Sequence, residues 1–440
     1  MADKQVLERI AYTDELTGLK NKNGLLDDFA DSNLENQHFI YVDIDEFKKM
    51  NAVFGIDAVD RLLIIISNTL QDYCGMSTVY RVGAGQFVLV TESHIICEPS
   101  ELQRLLRQPI VLDDLQIMVN ASICVLDHDD FPKSTLKGVI KLMQLTLDIE
   151  KRNGKNVLVF ASNKSRELYV EKRDIALSLF SGVQNNEFFP KFIPFVDTYT
   201  NEIIGYETVS RWNLNGKMLK PHCYLEAAEW TGLVYDIEMK MFEEGVKFLK
   251  ELRGNKAVSS NKSIDLFKRF KVGVHFSAHT LKRVEISDLV KILAHYGVSQ
   301  KDIIIQTQEK FIVDKEAYDK IKEFHGQRFM VGLDDYANSS ASLSFLADLK
   351  VDIIKLSEEL LNKIDDNQEY TRMMNVYKFI VDIAKKFNIT VVSDGVNSSE
   401  NARLIRELDV HIGLGNFYTR AIQKEEFIDY AVNNRKKRFK

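Results

Sequence analysis

Two short apolar runs in this chain deliver charge at their ends. Phe329-Met330-Val331-Gly332-Leu333 runs into the adjacent carboxylates Asp334 and Asp335, and a little further on Ile353-Ile354 runs into Lys355. Neighbouring carboxylates that face one cleft repel each other, so one takes up a proton unless a metal cation or a lysine lies close by. A carboxylate pair with a lysine therefore suits a metal or phosphate site. Buried parallel strands read as continuous apolar runs, and in a βα-barrel the residues at their carboxyl ends build the active site.

The surrounding sequence supplies the elements such a site needs. Apolar runs recur between helical stretches at Phe192 to Val196, Ile203 to Glu207, Val272 to Phe276, Ile303 to Ile305, Phe329 to Leu333, Ile353 to Leu356, Ile389 to Ser393 and Val410 to Ile412. This alternation predicts a TIM-like βα-barrel over residues 183–440. Ahead of it, Phe39 to Val42 reads as a strand, Ala58 to Leu70 as an apolar helix, and Val79 to Val82 with Phe87 to Val90 as a hairpin about Gly83-Ala84-Gly85. Residues 1–160 are thus expected to form a compact α+β unit, giving an α/β chain of two domains. The polar stretch 161–182 carries Leu168, Ile175 and Leu179 on one helical face and reads as a linker helix.

Composition narrows the class. The chain has 440 residues, too many for one typical core, with 45% hydrophobic and 28% charged residues, as in ordinary globular proteins. Its longest aliphatic run, Leu62 to Ile66, is too short to span a bilayer, and Met1 to Ile10 is charged rather than signal-like, so a cytoplasmic protein with no membrane partner is expected. The net charge of −6 argues against nucleic acid as a partner; the basic tail Asn434 to Lys440 reads as a solvated terminus. Cys74, Cys97, Cys124 and Cys223 are scattered without a Cys-x-x-Cys pair and read as buried free thiols.

The first half resembles a GGDEF domain, the family that makes cyclic di-GMP from two GTP molecules. Asp14-Glu15-Leu16-Thr17-Gly18-Leu19 with Asn21 is similar to its opening motif, and Asp43-Ile44-Asp45-Glu46-Phe47-Lys48-Lys49-Met50-Asn51 to its first metal and substrate segment. Asp60, Lys151, Gly154 and Asn156 also match. The resemblance implies that Asp43 is a vestigial metal ligand, that Asn51 and Asp60 read guanine, and that Lys151 and Lys155 meet phosphates. The signature hairpin departs from the family: Gly85 stands where an acidic metal ligand belongs and Gln86 where glutamate belongs. Mg²⁺ loses anionic oxygens there, so cyclase activity is expected to be absent, with GTP binding left as an option. Cys74-Gly75-Met76-Ser77 replaces the family's inhibitory Arg-x-x-Asp.

The second half resembles an EAL domain, the barrel phosphodiesterase that linearises cyclic di-GMP. Ile204-Gly205-Tyr206-Glu207-Thr208-Val209-Ser210-Arg211-Trp212 is similar to its name motif. By resemblance, Glu207, Asp334 and Asp335 are metal ligands, Arg211 is a phosphate contact, and Lys355 is the lysine that orients or deprotonates water. Departures are many: His275 replaces a metal-binding asparagine, Ile305 a metal-binding glutamate, Gln308 the glutamate that steadies the active-site loop, and Asp394 a longer glutamate. Asn397, Leu414 and Ile193 replace a glutamate and two glutamines, and Tyr336-Ala337-Asn338-Ser339-Ser340 lacks both loop glycines.

The resulting expectation is a catalytically inactive GGDEF–EAL protein of cyclic di-GMP signalling, acting as a regulatory module on an unidentified protein partner. No catalytic residue is expected to function, Lys355 being vestigial together with the metal positions Glu207, Asp334, Asp335, Asp394 and Asp43. Non-hydrolysing binding of cyclic di-GMP by Glu207, Arg211 and Asp335, or of GTP by Asn51 and Asp60, is the first alternative. Weak phosphodiesterase activity is the second, and only it calls for Mg or Mn; otherwise no cofactor is expected. A homodimer is compatible with all three. Four further expectations concern detail. Glu207, Asp334, Asp335 and Asp394 should raise one another's pKa, with Lys355 offsetting part of the repulsion. His275 and His279, in a strand context, should be structural rather than a zinc pair. Asp352 and Glu358 should be a solvated face or an ion pair for Lys355. Trp212 and Trp230 should be packing residues.

Overall fold

The computed structural model describes residues 10–30, 34, 36–74, 78–92, 98–113, 115–128, 131, 134–151, 154–254, 270–337, 346, 348–365 and 370–436. Its contacts divide the chain into two units, Met1–Arg173 and Asp174–Lys440.

The first unit is built on a sheet in which β1 (Lys20–Asn21), β2 (Gln37–Ile44), β3 (Thr78–Gly83) and β4 (Gln86–Glu92) are joined by β7 (Ala121–Asp127) and β8 (Leu158–Phe160), in the order β1-β3-β4-β2-β7-β8. Between them, β5 (Ile110–Leu112) and β6 (Leu115–Ile117) form a separate hairpin. Strand β2 reads as a continuous apolar run because both faces of the sheet are covered. Ile40, Val42 and Ile44 pack with α1 (Ile56–Cys74) on one side, while Phe39 and Tyr41 pack with α2 (Leu136–Glu150) on the other. The expected strand, helix and hairpin are all present. Cys74 and Cys124 are buried and Cys223 is half-buried; Cys97 lies outside the described residues.

Helix α3 (Asn163–Gln184) covers the expected linker helix and buries Ile175 and Leu179 against Phe188 and Trp212. The second unit is a closed eight-stranded barrel of β9 (Phe188–Asp197), β10 (Ile203–Leu214), β12 (Lys271–His275), β13 (Ile303–Gln308), β14 (Met330–Tyr336), β15 (Ile353–Leu356), β16 (Thr390–Ser393) and β17 (Ile412–Gly413), with β11 (Lys217–Leu219) hanging from β10. Seven of these strands are mutually parallel, but β9 runs antiparallel to both β10 and β17. The cause is the link between β9 and β10. Parallel strands need a crossover of a dozen or more residues, whereas the chain turns back within five, Thr198 to Glu202. The Asp197 carboxylate accepts from the N–H groups of Tyr199 and Thr200, and Asn201 takes φ +54°, which closes the turn.

Strand parity then sorts the side chains. Val272, Val274, Ile303, Ile305, Val331, Leu333, Ile354 and Leu356 point outward into the layer of helices, while Phe195, Ile304, Ile353, Val392 and Leu414 fill the barrel interior. The interior positions nearest the carboxyl ends are polar: Glu207, His275, Gln306, Asp334 and Lys355, with Asp394 just beyond β16. The interior therefore passes from apolar packing to polar and charged groups, and the charge gathers at one end of the barrel.

The basic tail lies partly outside the described residues. Its beginning closes the last helix, Lys424–Lys436, and residues 437–440 are not described.

Candidate functional site

At that end of the barrel Lys355, only 4% exposed, is held by three carboxylates. Its Nζ lies 2.9 Å from Glu207 Oε2, 2.9 Å from Asp334 Oδ1 and 3.6 Å from Asp394 Oδ2. A second cation position sits opposite it. The His275 ring lies between the same two carboxylates, with Nε2 2.8 Å from Glu207 Oε1 and Nδ1 3.1 Å from Asp334 Oδ2. Each oxygen of Glu207 and of Asp334 thus faces a basic nitrogen.

The electrostatics follow from this arrangement. Burial acts to raise the Glu207 carboxyl, but Lys355 and His275 overcome it and hold the group down at about 2. Asp334 is likewise lowered, burial being outweighed by Lys355 and His275. Burial opposes the charged forms of both bases, yet the carboxylates push His275 up to about 10 and Lys355 well above its ordinary value. Asp335 and Asp394, outside this square, are raised, first by burial and then by their acidic neighbours. The expectation that all four carboxylates would rise together holds for Asp335 and Asp394 and is overturned for Glu207 and Asp334. The physical reason is that two bases flank each of these carboxylates, Lys355 foremost and His275 beside it, the histidine acting as a structural ion-pair partner.

The strand after His275 also corrects two expected positions. In β13, Ile305 packs outward into the helix layer, and Gln306 is the residue that reaches the site, its Nε2 lying 3.4 Å from Glu207 Oε2. Side chains alternate along a strand, so a one-residue misplacement exchanges core for site. Similarly, Gln308 donates to Asp335 Oδ2 at 3.0 Å, while buried Glu309 accepts from the Ala337 N–H at 3.2 Å and so steadies the start of the loop after the aspartates. That loop begins with Asp335 at φ +53° and Ala337 at φ +70°, a region that favours glycine. Residues 338–345, including the rest of the altered loop, lie outside the described set.

Other expected residues are placed as follows. Arg211 Nη1 donates to the Ser210 carbonyl at 2.8 Å, and Ser210 itself lines a cavity of about 220 Å³ beside His275, Gln306, Thr307 and Asp334. Leu414 and Ile193 belong to the interior aliphatic cluster, and Asn397 donates to Glu358. Neither Asp352 nor Glu358 partners Lys355: Asp352 accepts from the Val331 N–H and Glu358 from Asn397. Trp212 is fully buried on Phe188, as expected, but Trp230 is 68% exposed and is not a packing residue.

A divalent cation fits this square poorly. It would have to displace the His275 ring from between Glu207 and Asp334, and Gln306 offers a neutral amide where hard cations want anionic oxygen. Among the described residues no group of three His, Cys, Asp or Glu side chains is arranged to hold a metal ion.

In the first unit, Lys151 lies 2.7 Å from Asp43 and 2.8 Å from Asp45, and Asp45 accepts further hydrogen bonds from Ser122 Oγ and the Asn156 N–H. Lys155 pairs with Glu46. Asn51 and Asp60 sit half-buried on the successive helices Phe47–Phe54 and Ile56–Cys74. At Gly85 a Cβ would lie 2.8 Å from the Phe47 ring, so the glycine is now required by packing as well as lacking a ligand.

Comparison with known proteins is consistent with both halves. Residues 176–421 match the model of the EAL domain, and residues 11–157 that of the diguanylate cyclase GGDEF domain. The chain is 24% identical to the oxygen sensor protein DosP of Escherichia coli (strain K12) over 96% of its own length and 52% of that protein's. It is 22% identical to the cyclic di-GMP phosphodiesterase NbdA of Pseudomonas aeruginosa over 96% of its length and 54% of that protein's. The chain thus spans about half the length of these curated relatives. Among solved structures it is similar to the S helix-GGDEF-EAL portion of Vibrio cholerae LapD bound to c-di-GMP, with a TM-score of 0.60 and 13% identity over 94% of this chain and 98% of that one. No helix among the described residues is long and apolar enough to cross a membrane. With one domain model following the other along its length, the chain belongs to the GGDEF–EAL family of cyclic di-GMP signalling proteins.

Proposed function

We propose that this chain neither makes nor hydrolyses cyclic di-GMP and serves as a regulatory module that contacts a protein partner in the cytoplasm. One observation carries the reading: the oxygens of Glu207 and Asp334 that would bind catalytic metal are paired with His275 and Lys355. Metal-assisted phosphodiester hydrolysis needs cations that polarise the phosphate and generate hydroxide. Here an imidazolium must leave before any cation enters, and Gln306 brings no compensating charge. Losses in the surrounding shell add about 10- to 100-fold each. In the first unit, Gly85 supplies no ligand, and Lys151 and Lys155, the phosphate-binding candidates, are engaged by Asp43, Asp45 and Glu46, which argues against GTP.

A second reading, a non-hydrolysing cyclic di-GMP receptor, is favoured by the cavity beside His275 and by the ligand bound to the LapD fragment. Against it stands the excess of acid in the same mouth, which repels phosphate in the absence of metal. Weak phosphodiesterase activity with Mg²⁺ or Mn²⁺ is the third.

Calorimetry with cyclic di-GMP, with and without Mg²⁺, Mn²⁺ or Ca²⁺, together with an assay for linear product, separates the three. The contact reading expects no heat and no product. Tight binding would sink it, and linear product would sink the receptor reading as well.

A further inference from the structure

A helix in the outer layer of the barrel carries more apolar surface than it buries. The helix Tyr370–Lys386 turns Tyr377, Ile380, Val381 and Ala384 into the core, at the i, i+3, i+4, i+7 spacing of one buried face. One such face suffices to hold a surface helix. Beside it, Val376, Phe379 and Phe387 are nonetheless 42%, 54% and 48% exposed, with half-buried Ile383 between the last two. Residues three and four apart stand one above another on a helix, so these four form a continuous stripe along its length and just past its end. Exposed apolar residues scattered singly need no explanation, but an aligned set marks a surface that meets something.

The borders of the stripe select the partner. On its solvent side lie Lys378 and Asp382, exposed and one turn apart, and on its other side lies the core face. Two copies of this helix laid antiparallel about a two-fold axis between Phe379 and Ile383 set Phe379 of each against Ile383 of the other, and Val376 against Phe387. In an antiparallel pair like flanks meet, which brings Lys378 of each copy beside Asp382 of the other. A parallel pair would set the Lys378 and Asp382 flank of one copy against the core flank of the other, which its own barrel covers. The face is therefore complementary to itself in polarity and in charge, in one orientation.

We propose that this face joins two copies of the chain as an antiparallel helix pair, with Phe379 at its centre and two Lys378–Asp382 ion pairs at its edge. The interface is one helix wide, which is small beside the standard size and makes the dimer a reversible one. The inference goes beyond the contact reading and does not rest on it, since no residue of the barrel mouth takes part.

Sedimentation velocity of the whole chain, from micromolar to hundreds of micromolar, is the test. The mean sedimentation coefficient is expected to rise with concentration, and Phe379→Glu, at an exposed position and checked by thermal melting, is expected to hold the chain monomeric throughout. Lys378→Glu and Asp382→Lys should each weaken the dimer by about tenfold, because two exposed ion pairs turn from attraction to repulsion. An equimolar mixture of those two variants should recover the affinity of the parent, since each then meets its opposite charge across the two-fold. A monomer at every concentration would overturn the proposal without touching the contact reading, and so would a dimer that Phe379→Glu leaves unchanged. A mixture no tighter than the single variants would overturn the antiparallel pairing.

Discussion

The two units carry a similar arrangement of charge with different support. In each, a lysine bridges two carboxylates: Lys151 with Asp43 and Asp45, and Lys355 with Glu207 and Asp334. In the first unit the lysine is 16% exposed and the rest of the support is neutral, from Ser122 and the Asn156 N–H. In the barrel the lysine side chain is 5% exposed and a second base, His275, closes the square. The first unit has Gly85, which carries no side chain, in its hairpin; the barrel has two bases between its carboxylates. A site short of a ligand needs little beyond packing to remain stable, whereas carboxylates buried without metal need protein-borne cations, because an unpaired buried charge costs several kcal/mol.

The sharpest way to break this comparison is to remove each lysine. Lys355→Met should destabilise the barrel by about 3–5 kcal/mol, since it leaves buried carboxylates uncompensated. Lys151→Met should cost about 1 kcal/mol, as for a partly screened pair. Urea unfolding measures both, with the buried Trp212 reporting on the barrel and hydrogen exchange on the first unit. Equal losses would mean that the two squares do the same work.

The next effect is pH-dependent. His275 and Glu238 both have raised pKa values in the fold, at about 10 and about 7. Their contributions are therefore full below the ordinary values of 6.5 and 4.5 and are lost as pH rises through the folded values. Glu207 runs the other way, its contribution full above 4.5 and lost as pH falls through about 2. Glu238→Gln should be near neutral at pH 5 and should gain about 2 kcal/mol over the parent at pH 8. A parallel pH profile for the two proteins, followed by thermal melting, would remove burial of Glu238 as a cause.

Smaller effects probe the Gly85 hairpin and the outer carboxylates. Gly85→Asp should cost about 1–2 kcal/mol through overlap with Phe47, and Phe47→Ala should relieve part of that loss in the double variant. Additive losses in that cycle would show that the two positions do not touch. Asp335→Asn should stabilise the barrel at pH 8 by up to about 0.5 kcal/mol, because asparagine tolerates φ +53° and keeps an acceptor for Gln308. A clear loss there would mean that the charge of Asp335 holds something in place.

Much of this was legible in the sequence, for reasons that differ by residue. The barrel strands are visible as apolar runs, and the runs ending in Asp334, Asp335 and Lys355 marked the mouth, because charge that closes a buried run must meet either water or an opposite charge. The role of His275 was not legible. Its place in a strand fixes which way it points only once its neighbours are known, and the two carboxylates on either side come from β10 and β14, distant in the chain. The exchange of Ile305 for Gln306 was an error of parity, invisible in Ile303-Ile304-Ile305 because an unbroken aliphatic run carries no alternation to count. The antiparallel β9 was legible in principle: the six residues between the runs ending at Val196 and starting at Ile203 are too few for a helical return.

The same antiparallel β9 bears on how the polypeptide is made. It seals the barrel against β17, and the Thr198 hydroxyl donates to the Val410 carbonyl 212 residues later in the chain. During synthesis the first strand must therefore wait, one edge unpaired, until nearly the whole barrel has left the ribosome. Contacts this distant slow folding and expose strand edges to mispairing, while the first unit, with its shorter loops, can fold in the interval. The N-terminal unit thus has a temporal use that needs no catalytic site: it is the part that is finished while the barrel is still waiting to close.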